Sequence, residues 1–324
     1  MDNKENYHPI SRNIGSGPYC IAKATCKIIQ LCWLYKVSLL IAHLERPSFA
    51  AVLANSFITA SVVVFRHHSD YAILAGFSNN FSYKFTYRFA PIVVVVSNYA
   101  KKVMTECEHI KPNKIIVLPL ALDFKLFGNT SEENIKNIKE KYSSELLLLS
   151  VGRLTQLKRP YHSIEVVKRL LKDNIRVKLI LLGTGDEQSS VTRYIKDNGL
   201  EEHVFLCGFS NEVQTFMKAA DFILHPSVSE SSSIVIKEAG IARKPCIVCQ
   251  GVGDFDEYLI NLKNCFFVPR EKFIETAVAT IKSNYQNKNF LAEIGEALHA
   301  DITRLFDINN VISFYETVME RNKH

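Results

Sequence analysis

Long apolar runs are scarce in this chain of 324 residues. The most hydrophobic N-terminal stretch, Ile28 to Leu44, is broken by Lys36 and His43. It falls short of the roughly 20 apolar residues that a membrane-spanning helix requires. A helix from Ile21 to Tyr35 running into a strand from Val37 to Ala42 is the better account, with contact at a membrane surface as the alternative. Strong charge bias is also missing. A net charge of +6 suits anionic ligands or an anionic membrane surface but is too diffuse to point to nucleic acid. The polar start, Met1 to Asn6, lacks the pattern of a signal peptide. The eight cysteines are therefore expected as free thiols in a reducing cytoplasm. Cys246 and Cys249 form a lone pair inside an apolar run. A zinc site needs more ligands at set spacing, so they are expected as buried core residues. No internal repeat and no low-complexity tract occurs. The dinucleotide fingerprint Gly-x-Gly-x-x-Gly, with an acidic residue at the right distance beyond it, is absent too, which argues against a dehydrogenase.

What remains is a globular composition, 47% hydrophobic and 22% charged, in a chain long enough for two domains. Apolar runs and helical patterns alternate from about residue 37. Strands are expected at Val37–Ala42, Ser61–Phe65, Ile92–Val96 and Lys114–Leu118. A second set is expected at Leu146–Val151, Val177–Leu182, Val204–Cys207, Phe222–Leu224, Cys246–Val248 and Cys265–Val268. Such alternation predicts an α/β architecture of parallel sheets covered on both faces. The pattern breaks between Ala121 and Tyr142, where a linker is expected. The domains are accordingly placed at 1–144 and 145–324, the second ending in two or three helices. The first domain reads as short. It has no convincing opening strand with a glycine-rich turn, and Gly15-Ser16-Gly17 follows no apolar strand.

Four motifs in the second domain suit a single task. The strand Leu146–Val151 ends at Gly152, followed by Arg153 and Lys158. An arginine fork and a lysine point charge there could meet a diphosphate, although taken alone two solvated cations in a loop are the better account. Gly183-Thr184-Gly185 forms a turn between a strand and a helix. Tight packing explains it as well as phosphate does. Glu230 and Glu238 flank Ser231, Ser232, Ser233 and Ile234. The serines can start and cap a helix, which puts Glu230 in the loop at a strand's carboxyl end and Glu238 one to two turns into the helix. Helix-start amides there favour phosphate, and the carboxylates can hold sugar hydroxyls. The fourth motif, Gly251 to Glu257, is another loop entering a helix, with Asp254 and Asp256 expected as caps.

Taken together, Gly152 to Pro269 resembles the donor domain of glycosyltransferase family 4. The family's Gly-Arg-Leu and lysine match Gly152, Arg153, Leu154 and Lys158, with Arg159 in place of a glycine. Its Gly-x-Gly matches Gly183 and Gly185, and its Glu-x7-Glu matches Glu230 and Glu238. Its Gly-Gly-x-x-Glu loop matches Gly253 and Glu257, with Asp254 in place of the second glycine. Where the family has Gly-Phe-Gly after the first glutamate, this chain has Ser231-Ser232-Ser233. In the first domain, Val62 to Asp70 resembles the strand that ends in His-Gly-Ser-Asp, with His67 on the family histidine.

The resemblance implies the GT-B fold, two Rossmann-like parallel-sheet domains facing across a cleft. It also implies retaining transfer from a nucleotide-sugar, without metal or other cofactor, to a saccharide or lipid-linked saccharide. Glu238 would hold the ribose, Glu230 and His67 the donor sugar, and Arg153 and Lys158 the diphosphate, with amides near Ser231, Ser232, Ser233 and Ile234 assisting. The expected location is the cytoplasm, at the inner face of the membrane. The family's first strand and glycine-rich loop find no counterpart here. The competing expectation is therefore a donor-binding protein with little transferase activity.

Overall fold

The computed structural model describes residues 17–67, 80–127 and 130–320. The chain divides into two compact units, Met1–Leu120 with Asn309–His324, and Ala121–Ile308. Gly15, Ser16 and the His68 to Asp70 part of the histidine motif lie outside the described residues.

The first unit opens with α1 (Pro18–Tyr35). Proline in its first turn forfeits no hydrogen bond, because that N–H has no intrahelical partner. Ala24, Ile28 and Cys32 recur every four residues and are buried against Ala50 and Ala54 of α2 (Glu45–Ala54). Strands β1 (Leu39–His43), β2 (Ser61–Arg66), β3 (Ile92–Val95) and β4 (Ile115–Val117) form a parallel sheet in that spatial order. Their period of two splits the valines. Val62, Val64, Val93 and Val95 pack against α2, α3 (Phe81–Phe89) and α4 (Asn98–Glu106). Val63 and Val94 face the other way, against Leu118 and the returning α13 (Ile308–Glu320). Arg66, only 2% exposed at the end of β2, is matched by a forked pair to Glu108 at 2.7 and 2.8 Å.

The second unit carries α5 (Glu132–Lys141), β5 (Leu146–Val151), α6 (Pro160–Lys172), β6 (Val177–Leu182), α7 (Gln188–Asp197), β7 (Val204–Gly208) and α8 (Val213–Ala219). After these come β8 (Phe222–His225), α9 (Ile234–Ile241), β9 (Cys246–Cys249), α10 (Phe255–Tyr258), β10 (Phe266–Val268), α11 (Phe273–Asn284) and α12 (Lys288–Leu305). Its six strands are all parallel, in the order β10-β9-β8-β5-β6-β7. The chain winds outward from β5 in one direction and from β8 in the other. The order reverses between these two strands, which is where open sheets of this kind leave a crevice at their carboxyl ends. Cys246 and Cys249 are both buried in β9.

The observed division differs from the boundary at 144/145 at both ends. The Lys/Glu-rich helix expected within the linker is α5, and it belongs to the second unit, where it buries Ile135 in the core. The last helix belongs to the first unit, because Val311, Phe314, Tyr315 and Val318 cover the outer face of its sheet. Helix α3 was not expected at all. Its aromatics at 81, 83, 85, 87 and 89 alternate like a strand, but Asn80 caps it by accepting from Ser82 N at 3.3 Å.

One packing contact decides a sign. Gly295 lies mid-helix in α12, where alanine would normally gain roughly 1 kcal/mol. A β-carbon at that position would fall 2.2 Å from the carbonyl oxygen of Arg243, which is backbone and has little room to yield. The clash outweighs the propensity. Gly295→Ala is expected to destabilise the protein by about 2 kcal/mol, read as a lower urea midpoint. An unchanged or higher midpoint would show that the helix can shift away.

Candidate functional site

The loops that leave β5, β6 and β8 are built against one another. A β-carbon on Gly183 would lie 2.0 Å from Gly152 O, and one on Gly185 would lie 2.4 Å from Leu154 O. Both glycines are thus required by the approach of the β5 loop to the β6 loop. Gly152 N donates to Leu182 O at 2.9 Å and Leu154 N to Thr184 O at 3.0 Å, which seals that contact. On the other side Val228 N donates to Leu157 O at 3.0 Å, tying the β8 loop to the same segment.

Glu230 stands in the loop after β8. Its carboxylate receives the Lys158 ammonium from the β5 loop and lies 2.6 Å from His225 Nε2, at the end of β8. Burial alone would push this carboxyl up. Hydrogen bonding and attraction to His225 and Lys158 outweigh it and bring the group down to about 2. Glu230 is therefore ionised at neutral pH. Arg153 stands exposed just after Gly152. Ser150, Gly152, Arg153, Lys158, His225 and Pro226 line a small recess between β5 and β8.

Glu238 is the fifth residue of α9, in its second turn. Its carboxyl has no hydrogen-bond or ionic partner among the described residues, and burial pushes it up to about 7. Ile234 opens the helix, half exposed, and Ser231 and Ser232 precede it. Ser233 takes the N-cap position without capping. Its hydroxyl lies 3.5 Å from His225 Nε2 instead. Asp254 likewise stands at the N-cap of α10 without capping, because its carboxylate joins a buried network with Lys237.

The sequence-predicted residues Gly152, Arg153, Lys158, Gly183, Gly185, Glu230, Ser231, Ser232, Ser233, Ile234 and Glu238 all lie on loops and a helix start at the carboxyl ends of β5, β6 and β8. His67 belongs to the other unit. It follows β2 directly and pairs with His43, Nε2 to Nδ1, at 2.8 Å, their rings stacked with Phe65. Two residues escaped the sequence reading. His225 closes β8, one residue beyond the strand expected at Phe222–Leu224, and a histidine at a buried strand's carboxyl end is the available signal. Lys237 follows the apolar run Ile234-Val235-Ile236 in a helix whose only other charged residue is Glu238, a position a surface lysine rarely takes. Among the described residues, no group of three or more His, Cys, Asp or Glu is placed to hold a metal ion.

Comparison with known proteins accords with this geometry. The chain is 26% identical over 186 residues to an Escherichia coli UDP-Gal:alpha-D-GlcNAc-diphosphoundecaprenol alpha-1,3-galactosyltransferase, covering 53% of this chain and 48% of that protein. It is 28% identical over 234 residues to a Campylobacter jejuni N-acetylgalactosamine-N,N'-diacetylbacillosaminyl-diphospho-undecaprenol 4-alpha-N-acetylgalactosaminyltransferase, covering 69% of this chain and 60% of that one. The chain thus spans about half to three fifths of the length of these curated relatives. Anabaena HepE, solved in complex with UDP, superposes with a TM-score of 0.81 at 20% identity, over 91% of this chain and 82% of its own. That likeness shows the fold, two parallel-sheet α/β units of the GT-B type. The model of glycosyl transferases group 1 matches residues 131–299, just over half of the chain, and spans the β5 and β8 loops with both glutamates. The chain belongs to the group 1 glycosyl transferases.

Proposed function

We propose that this protein is a retaining glycosyltransferase of family 4 that moves a hexose-type sugar from a nucleotide-sugar to a saccharide or lipid-linked saccharide, without a metal ion, in polysaccharide or glycoconjugate synthesis. The observation that carries the reading is the Lys158–Glu230–His225 cluster at the reversal of strand order between β5 and β8. A doubly charged diphosphate arriving there competes with the single charge of Glu230 for Lys158, while Arg153 is exposed and ready to fork onto it. Both cations then stabilise the charge that grows on the leaving diphosphate, so the chemistry needs no metal. Amides at the start of α9 add to this. Glu230, kept ionised by His225, holds donor-sugar hydroxyls and sits near the positive charge that develops on the sugar. His67, the counterpart of the family's histidine, contacts the donor sugar. Glu238, unpartnered and half-buried, holds the ribose.

The UDP bound to HepE makes UDP-sugars the first donors to try. The same reading places the protein in the cytoplasm, in peripheral contact with the inner face of a membrane through α1. Trp33 and Leu34 are exposed there among Lys23, Lys27 and Lys36, and no acidic residue occurs from Tyr7 to Leu44. No helix among the described residues is long and apolar enough to cross a membrane.

A panel of UDP-, GDP- and ADP-sugars, assayed with chelator present, tests the donor site. One donor is expected to be hydrolysed or transferred. Lys158→Ala should cut kcat at least a hundredfold, the cost of a lost contact that strengthens in the transition state. Glu238→Ala should weaken nucleotide binding about tenfold to a hundredfold, as for a lost charged hydrogen-bond acceptor. Parent-like behaviour of both variants would overturn the site. Donor binding with no transfer to any acceptor would favour the binding-protein alternative.

The carboxyl of Glu238 supplies a pH test. It stands near 7 in the free protein, and only its ionised form accepts from both ribose hydroxyls. Ionisation rises about tenfold between pH 6 and pH 8, so nucleoside affinity should improve by about that factor over the same interval. Glu238→Gln should remove the dependence. A parallel profile in the variant would show that the titration belongs to another group.

A further inference from the structure

Two of the chain's departures from the family pattern touch each other. Serines replace the Gly-Phe-Gly after Glu230, and Asp254 replaces the second glycine of the later loop. Ser232 Oγ donates to Asp254 Oδ2 at 2.5 Å. Between them stands Lys237, fully buried in the first turn of α9. Its ammonium donates to Asp254 Oδ2 at 3.0 Å, to Ser232 Oγ at 2.8 Å and to Ser233 O at 3.3 Å. All three N–H bonds are used, and the rings of Phe306 and Tyr258 lie 4.3 and 5.1 Å from the charge.

The network joins three segments: the loop after Glu230, the start of α9 and the loop before α10. Their backbones are also in close approach, since a β-carbon on Gly253 would fall 2.5 Å from Glu230 O. Such a pair is a poor way to gain stability, because desolvating both charges consumes most of their attraction and an apolar pair of similar volume often does as well. What it adds is direction. Each N–H of Lys237 and the Oδ2 of Asp254 favour one geometry, whereas a phenylalanine in a greasy pocket tolerates several. Three serines also make a longer menu of hydroxyl partners than Gly-Phe-Gly, and the buried ammonium selects one of them.

We propose that Lys237, together with Asp254, is a positioning residue of the donor site. It holds the backbone of Ser232, Ser233 and Ile234, and with it Glu230, in the arrangement that receives the diphosphate and donor sugar. Lys237 has no exposure of its own and touches no ligand. The proposal rests on the donor reading above for what the loop receives, but not for what holds the loop.

The test compares the parent with Lys237→Met/Asp254→Gly, which removes both charges together and strands neither. Three quantities are read: the melting temperature, amide hydrogen exchange across residues 230–238 without ligand, and KM and kcat with whichever nucleotide-sugar the parent uses. The expected result is a melting temperature within a few degrees of the parent. Exchange in the loop should be at least tenfold faster, and KM for the donor at least tenfold higher. Parent-like exchange and KM in a folded double variant would overturn the proposal and leave the pair as a buried charge pair only. If the double variant fails to fold, Ser232→Ala removes just the hydroxyl link and is read the same way, with the same exchange and KM increases expected. Should the parent bind no nucleotide-sugar, the donor reading fails by itself. Loop exchange in the variant still decides whether Lys237 anchors the segment.

Discussion

Glu230 is a carboxylate at the end of a buried parallel sheet, and such a group must find positive charge or give up its own. Taking it out of water costs several kcal/mol, and its environment would keep it protonated if it stood alone. Lys158 comes to it from the loop after β5, and His225 from the end of β8. Together they reverse the sign, so the carboxyl falls to about 2 rather than rising. The cluster thereby ties together the two strands at which the winding of the sheet reverses. The recess beside Gly152 and the exposed Arg153 lie beside that tie, and Gly253 closes on the Glu230 backbone from the other side.

Much of the fold was legible because parallel strands buried on both faces leave continuous apolar runs such as Leu146–Leu149 and Leu179–Leu182. Legibility failed where a local pattern had two readings. The aromatics of α3 alternate with a period of two, yet the segment is helical because Asn80 caps it and Tyr83 and Tyr87 bury a turn apart. Helix α5 falls in the stretch that reads as a linker because eight of its ten residues are polar or charged, yet Ile135 is buried and Ile138 packs against the same core, which is enough to dock it. The last helix was legible as a helix, but nothing in the order of residues says which of two sheets an amphipathic helix will cover.

The site was legible as a set of motifs and opaque as a set of contacts. Glu230 and Lys158 are separated by 72 residues, and Ser232 and Asp254 by 22, so their pairing exists only once the strands are in register. Reading along the chain led to helix caps for Ser233 and Asp254, since both precede helices. Asp254 is drawn instead to the buried ammonium of Lys237 at 3.0 Å, and the Ser233 hydroxyl faces His225 Nε2 at 3.5 Å. The buried groups won. Gly183 and Gly185 show the reverse case. Their place in a phosphate-type turn was visible, but the structural demand on them is the 2.0 and 2.4 Å approach to the neighbouring loop, which would require glycine even with no ligand.

Glu230 and Glu238 differ in environment as widely as two glutamates eight residues apart can. One is buried and partnered and sits near 2; the other is half-buried and unpartnered and sits near 7. The first is finished in the ligand-free protein, while the second is left with an unmet demand. Because burial disfavours its charge, Glu238 gains more from hydroxyl donors than an exposed carboxylate would, and those donors favour its ionised form. Under the proposed function, ribose binding therefore draws a proton off Glu238 near neutral pH, and affinity and protonation become linked quantities. On that reading, the protein gives up some stability at this residue and keeps a carboxylate whose hydrogen-bonding capacity is unspent in the free protein.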